Sequence, residues 1–359
     1  MHNILRKFFK NKKVIVTGHT GFKGSWLTLV LIYLGARVVG ISNNIPTKPA
    51  FFQILKLNKK IKDLRVDVRD LKKIKNIFKK HKPDFIFHLA AQSLVKTSFK
   101  EPIYTFTTNF VGTLNILESL RELKKECVTV IITSDKSYKN FEIDRGYKEN
   151  DIIGGEDPYS ASKGCAELAI QSYCKSFLKG NKKKIAIARA GNVIGGGDWS
   201  KHRLVPDCMK SWSKRKKVIL RNPGSTRPWQ HVLEAIFGYL TLANKLSKNS
   251  KIHGEAFNFG PNNKDNKSVL NVVKEMKKSW KAVSWTIKKS KKAEYESKLL
   301  KLNSNKAKLE LNWINSLNFK GTIKMTTDWY KNFYEKKEDN FKFSIKQILN
   351  YQKKNNNKK

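Results

Sequence analysis

The strongest constraint on what this chain can fold into lies near its N-terminus. Lys13–Thr17 is a short β-branched run that stops at Gly18, and Leu27, Val30, Leu31 and Leu34 then recur at i, i+3, i+4 and i+7. This reads as strand, tight turn, helix. The turn is Gly18-His-Thr-Gly21-Phe-Lys-Gly24. Glycines there let the backbone turn sharply and approach a pyrophosphate closely, and the positive end of the following helix favours the anion. The expectation is a dinucleotide held against Gly18, Gly21, Phe22, Lys23 and Gly24.

The same alternation continues along the chain. Arg37–Ser42, Leu64–Val68, Phe85–Ala90, Val128–Ser134 and Ile185–Ala190 read as further strands. Helical stretches at Leu71–Lys80, from about Pro102 to Leu123 and from about Tyr159 to Leu178 separate them. Strands joined by helical crossovers predict an α/β fold with a Rossmann-like, doubly wound parallel sheet. Beyond Asn192 the pattern loosens into a Gly-rich loop, short strands at Val218–Arg221 and Ala256–Phe259, and helices. The expected organisation is a cofactor-binding domain over residues 1–191 and a smaller substrate-binding lobe over 192–351 interleaved with it. Residues 352–359, only Lys and Asn after Gln352, are expected to form a disordered basic tail.

Composition excludes several other classes. Lys and Arg number 73 against 29 acidic residues, a formal +44, but only 11 of the 73 are arginine. Abundant Lys, Asn and Ile is the pattern of an AT-rich genome. The lysines are spread over the chain without interleaved aromatics, so they read as a solvated surface and not as a nucleic-acid site. The cysteines Cys127, Cys165, Cys174 and Cys208 form no C-x-x-C and fit a reduced cytoplasm. No H-E-x-x-H occurs, so no catalytic metal is expected. Residues Met1 to Lys13 lack a signal-peptide core. The longest apolar stretch, Trp26 to Ala36, is about half of what spans a bilayer and reads as a buried helix.

Two further groups of residues carry chemistry. Tyr159 and Lys163 lie four apart at a helix start, hence on one face, and an ammonium beside a phenol would stabilise phenolate and make Tyr159 a base. One crossover earlier, the end of the fifth strand carries Thr133-Ser134-Asp135-Lys136, a hydroxyl followed by an acid/base pair. After the second strand, where an acid normally holds the ribose hydroxyls of NAD, stand Ser42, Asn43 and Asn44. No arginine replaces that acid for a 2′-phosphate, so NAD is favoured over NADP. Asp67 either accepts from the adenine amino group or caps its loop.

The glycine turn, His88-Leu-Ala90-Ala91, Asn109, Ser134 and Tyr159/Lys163 resemble the extended short-chain dehydrogenase/reductases over about 340 residues. Four longer strings resemble the CDP-glucose 4,6-dehydratases: Thr133–Asn140, Gly154–Leu168, Ala190–Trp199 and Arg227–Val232. The discriminating dipeptide is Asp135-Lys136, because the similar dTDP-glucose and GDP-mannose dehydratases carry Glu at the second position. Asn44 departs from the Asp usual in that loop.

The resemblance implies NAD as cofactor, with Ala90, Ala91 and Asn109 added to its contacts, and CDP-glucose as substrate. It implies that Tyr159 takes the C4 hydroxyl proton, that Lys136 removes the C5 proton and that Asp135 protonates the C6 hydroxyl as water leaves. Ser134 and Lys163 complete the catalytic set. Arg227 is implied on the diphosphate and Asn192 on the diphosphate or sugar, with Arg203 and Arg221 either in support or surface cations; His231 either orients Arg227 or starts a helix, and core packing is the expectation for Trp199 and Trp229. A homo-oligomer, dimer or tetramer, is also expected.

Overall fold

The computed structural model describes residues 2–143, 145–180, 182–201, 203–220, 222–262, 266–288 and 300–356. Seven strands form one sheet: β1 (Lys13–Thr17), β2 (Arg37–Ile41), β3 (Lys62–Leu64), β4 (Phe85–His88), β5 (Cys127–Ile132), β6 (Lys183–Ala190) and β7 (Ala256–Phe259). Their order is β7-β6-β5-β4-β1-β2-β3, and every pairing is parallel. Strand order reverses between β1 and β4, which opens a crevice beyond their carboxyl ends. The α/β Rossmann-like reading therefore holds.

Helices cover both faces. On one side α2 (Phe22–Tyr33) and α7 (Val232–Lys248) pack with α1 (His2–Phe9), whose Leu5 and Phe9 are buried. On the other lie α3 (Leu71–His81), α4 (Gly112–Glu122) and α5 (Pro158–Ser176). Two separate apolar cores result, one on each face, because successive side chains of every strand point opposite ways: Val14 and Val16 join one, Ile15 the other. Further along the chain lie α6 (Leu204–Trp212), α8 (Val269–Ser279), α9 (Phe319–Glu335), α10 (Asn340–Asn356) and short two-stranded pairings such as Thr226–Pro228 with 266–268.

Three local expectations are corrected. The third strand covers Lys62–Leu64, not Leu64–Val68, because the following residues turn: Asp67 accepts from the Arg69 N–H at 2.9 Å and Asp70 caps α3 by accepting from the Lys73 N–H at 3.0 Å. The helix expected over Pro102–Leu123 is not α-helical throughout but takes a π-turn at Thr107–Val111 within one continuous helix. Gly112 follows it because a Cβ there would lie 2.8 Å from Val68 Cγ2. The tail expected to be disordered from Gln352 is instead helical through Asn356. Glu234 on α7 accepts from Tyr351 Oη at 2.8 Å, Asn355 Nδ2 donates to Ser316 Oγ at 2.5 Å, and Gln352 is buried. Composition alone does not melt a helix whose other face is packed.

Candidate active site

The glycine turn is built as its sequence requires. Gly18 has φ +73°, and a Cβ on it would lie 2.7 Å from the Ala90 nitrogen, so β1 and β4 can close on one another only with glycine here. A Cβ on Gly24 would fall 2.0 Å from the Gly18 carbonyl oxygen. Gly21 is the N-cap of α2 and no side chain caps that helix end. The residues present thus fit a dinucleotide: an uncapped helix N-terminus behind a turn bounded by Gly18 and Gly21, at the strand-order reversal.

Neighbouring side chains fix the floor of this crevice. Thr17 Oγ1 accepts from the Leu89 and Ala90 N–H groups and donates to His88 Nδ1 at 2.7 Å, while His88 Nε2 donates to Thr113 Oγ1 at 3.1 Å. Burial holds the His88 imidazole neutral, with a pKa lowered to about 3. Ala91 follows at the end of this segment. Asn109, in the π-turn, accepts from the Gln92 N–H at 2.8 Å and donates to Gln92 O and to Ser162 Oγ, tying the segment after β4 to α5. A π-turn at this point re-aims one side chain without breaking the helix. Asp67 binds Arg69 through both oxygens and accepts from Asn43, which is the loop-cap alternative. At the end of β2, Asn44 O accepts from Thr20 Oγ1 at 2.7 Å.

Ser134 ends β5 and caps the short turn Asp135–Ser137, accepting from the Lys136 N–H at 3.2 Å and donating to Asp135 Oδ1 at 3.0 Å. Asp135 is buried, and desolvation raises its pKa against the pull of Lys136, the Ser134 hydroxyl and Lys23. A raised carboxyl pKa is the direction a general acid requires. Tyr159 and Lys163 occupy the first turns of α5, where Asp157 caps the helix and Pro158 begins it.

The expectation that Lys163 lowers the Tyr159 pKa is not what the structure gives. Burial raises the Tyr159 phenol, and the Ser134 hydroxyl is the largest influence favouring its phenolate. Lys163 is itself depressed to about 7 by burial and by the charge of Lys23, and its Nζ donates to Ile132 O at 3.4 Å. Lys23, anticipated as a cofactor contact, has Arg203 and Asp135 as its charged neighbours, and burial lowers its pKa to about 8.

The substrate-side residues divide. Arg203, at the N-cap of α6, donates to Asp198 at 3.0 Å and is electrostatically coupled to Tyr159 and Lys23, so the structure brings it to the site. Arg227 lies on the short strand Thr226–Pro228 and donates to Thr226 O. Asn192 O accepts from the Gln230 N–H. Arg221 lies outside the described residues. His231 takes the helix-starting alternative: it is fully buried, caps α7 by accepting from the Leu233 N–H on Nδ1, and meets Trp26 edge-on. Trp199 and Trp229 are buried, and the glycines of Gly195-Gly-Gly-Asp-Trp199 serve packing, since a Cβ on Gly196 would fall 2.1 Å from the Trp329 ring.

Sequence reading missed Gly191. A Cβ there would lie 2.7 Å from Asp135 Oδ2, so the glycine seats the buried carboxyl. It also missed Glu167, which hydrogen-bonds Thr133, Ser137 and Arg189. The Glu one turn after Lys163 was the available signal.

The parallel α/β architecture is shared with solved structures. The chain belongs to the GDP-mannose 4,6 dehydratase family, whose sequence profile matches residues 15–326. It is 42% identical over 332 residues to the CDP-glucose 4,6-dehydratase of Salmonella typhimurium, covering 91% of this chain and 92% of that one. Among solved structures it resembles the epimerase Mth375 of Methanothermobacter thermautotrophicus, with a TM-score of 0.80 at 22% identity over 94% of this chain and 98% of that one. It also resembles the UDP-glucuronic acid 4-epimerase of Bacillus cereus in complex with UDP-glucuronic acid and NAD, with a TM-score of 0.76 at 25% identity over 90% of this chain and all of that one.

Proposed function

We propose that this chain is an NAD-dependent CDP-glucose 4,6-dehydratase, a hydro-lyase that converts CDP-glucose to CDP-4-keto-6-deoxyglucose in the cytoplasm. The observation that carries this reading is the Asp135–Lys136 turn, with a buried carboxyl whose pKa burial raises, held beside the Tyr159 face of α5. The 42% identical relative bears the same activity in its name. NAD is supported by the fit of the glycine turn and by the NAD complex of the B. cereus epimerase.

In this reading Tyr159, in contact with Ser134, receives the C4 hydroxyl proton. The bound dinucleotide supplies reversible hydride acceptance, from C4 and back to C6. A carbonyl at C4 acidifies the C5 proton, which Lys136 removes. Asp135 gives its proton to the C6 hydroxyl, which leaves as water. Lys136 then returns a proton to C5. Lys23, Arg203 and Arg227 supply positive charge for the diphosphate.

The protein is read as a homo-oligomer. Exposed apolar side chains support this: Phe99 and Ile103 on the Val95–Lys100 and Pro102–Phe106 helices, and Leu168 on α5, against which both helices pack.

Incubation of purified protein with CDP-, dTDP-, UDP- and GDP-sugars, followed by mass measurement of the products, tests the reading. A CDP-glucose product lighter by one water is expected. A C4 epimer of unchanged mass, or no turnover of any sugar nucleotide, would overturn it.

A further inference from the structure

We propose that the buried Glu167–Arg189 pair is a positioning device that registers the Asp135–Lys136 turn against the Tyr159/Lys163 face of α5, so that acid/base groups acting on adjacent carbons of one sugar stay aligned. This rests on the dehydratase reading.

The geometry is specific. Glu167 lies one turn beyond Lys163 on α5 and is fully buried. Its Oε1 accepts from Thr133 Oγ1 at 2.6 Å, from Ser137 Oγ at 2.9 Å and from Arg189 Nε at 2.9 Å. Thr133 and Ser137 bracket Ser134-Asp135-Lys136, so a single carboxylate oxygen on α5 holds both ends of the turn. Oε2 takes Arg189 Nε at 2.9 Å and a second guanidinium nitrogen at 2.5 Å. Arg189, on β6, passes the connection on. It donates to Tyr138 Oη at 2.5 Å and to Glu149 O at 3.0 Å, and Tyr138 Oη donates to Asn258 Oδ1 on β7 at 2.9 Å.

Fold stability does not explain such a pair. Two desolvated charges are costly, and apolar replacements of similar volume are often as stable. What a saturated carboxylate provides is fixed direction: its two oxygens are held by donors from the turn after β5 and from Arg189 on β6. The reacting groups need that. Tyr159 would serve C4 while Lys136 and Asp135 serve C5 and C6, and a misplacement of about 1 Å costs on the order of a hundredfold in rate. Glu167 and Arg189 are positioning residues.

The test is the double variant Thr133→Val/Ser137→Ala, which removes both links from the turn to Glu167 together with the Ser137 Oγ–Ser134 O bond and leaves the ion pair intact, alongside Thr133→Val alone, which removes only a Glu167 link and should slow elimination in the same direction. In the double variant we expect an unchanged far-ultraviolet spectrum and a CDP-glucose KM within about threefold of wild type. C4 oxidation should persist in a single turnover, with water elimination slowed at least about tenfold, so that reduced cofactor builds up transiently. The conservative Thr133→Ser/Ser137→Thr variant should restore elimination. Amide hydrogen exchange at Lys136 should quicken at least about tenfold in the double variant, whether or not the protein turns over CDP-glucose. Oxidation and elimination falling in parallel, or Lys136 exchange unchanged, would overturn the positioning role. Wild-type protein that neither oxidises nor dehydrates any sugar nucleotide would instead overturn the dehydratase reading, and the exchange measurement would still decide the positioning.

Discussion

A Cβ on Gly191, just beyond the end of β6, would fall 2.7 Å from Oδ2 of Asp135, just beyond the end of β5. The carboxyl occupies the space a side chain would fill, and the neighbouring strands set that space. Gly191→Ala should therefore displace the Asp135 carboxyl with little effect on folding. We expect kcat to fall at least about tenfold on CDP-glucose, with Tm within a few degrees of wild type. A fully active Gly191→Ala enzyme would show that the seat does not matter.

The two halves of the reaction should separate by mutation. Tyr159→Phe removes the group that receives the C4 proton and should abolish oxidation. Lys136→Ala should spare C4 oxidation while suppressing loss of the C5 proton, read as slower exchange of C5 deuterium with solvent. Wild-type exchange in Lys136→Ala would assign the base elsewhere.

Base choice is the next expectation. A pocket that hydrogen-bonds the exocyclic amine of cytosine meets a carbonyl when thymine or uracil enters, leaving buried polar groups unpaired at about 1–3 kcal/mol each. Initial rates should give at least roughly a tenfold preference in kcat/KM for CDP-glucose over dTDP-glucose and UDP-glucose. Equal turnover of dTDP-glucose would leave only the wider dehydratase reading.

Two buried histidines set an acid limit on stability. Burial lowers His88 and His231 to about 3 from 6.5. The unfolded chain therefore binds protons first as pH falls: stability is full above about 6.5 and is lost progressively towards 3. Each imidazole should remove about 2 kcal/mol by pH 5. Urea unfolding of His231→Leu should show about that much less acid loss than wild type between neutral pH and pH 5. An identical pH dependence in the two proteins would refute the assignment.

The C-terminal helix should prove integral to the fold. Tyr351 donates to Glu234 Oε2 at 2.8 Å, and Glu234 Oε1 accepts from the Ser316 and Leu317 N–H groups at 2.8 and 2.7 Å. Tyr351→Phe should cost about 1–3 kcal/mol in chemical denaturation. Removing residues 340–359 should cost far more, since Ile348 and Tyr351 belong to the larger core. A truncated protein with the wild-type Tm would contradict this.

The sequence by itself determined what local chemistry dictates. The β-branched run before Gly18, the helical recurrence after it and the repeated alternation require a parallel sheet with a phosphate-ready turn. The Tyr159/Lys163 spacing places both on one helix face, and the Ser134-Asp135-Lys136 string marks the end of β5. Tertiary structure alone decided where those side chains point and what holds them. Burial and the charge of Arg203 lower the Lys23 pKa to about 8, His231 is a buried cap, and Glu167 fastens Thr133 and Ser137 to α5. Gly191 shows its purpose only once β5 and β6 lie side by side, and the Lys/Asn-rich end is helical only because α7 and the Ser316 loop lie under it. Backbone turns and periodicities are fixed by neighbours along the chain. Burial, charge coupling and the direction of a buried side chain are fixed by residues distant in sequence, and no string of letters near Asp135 records them.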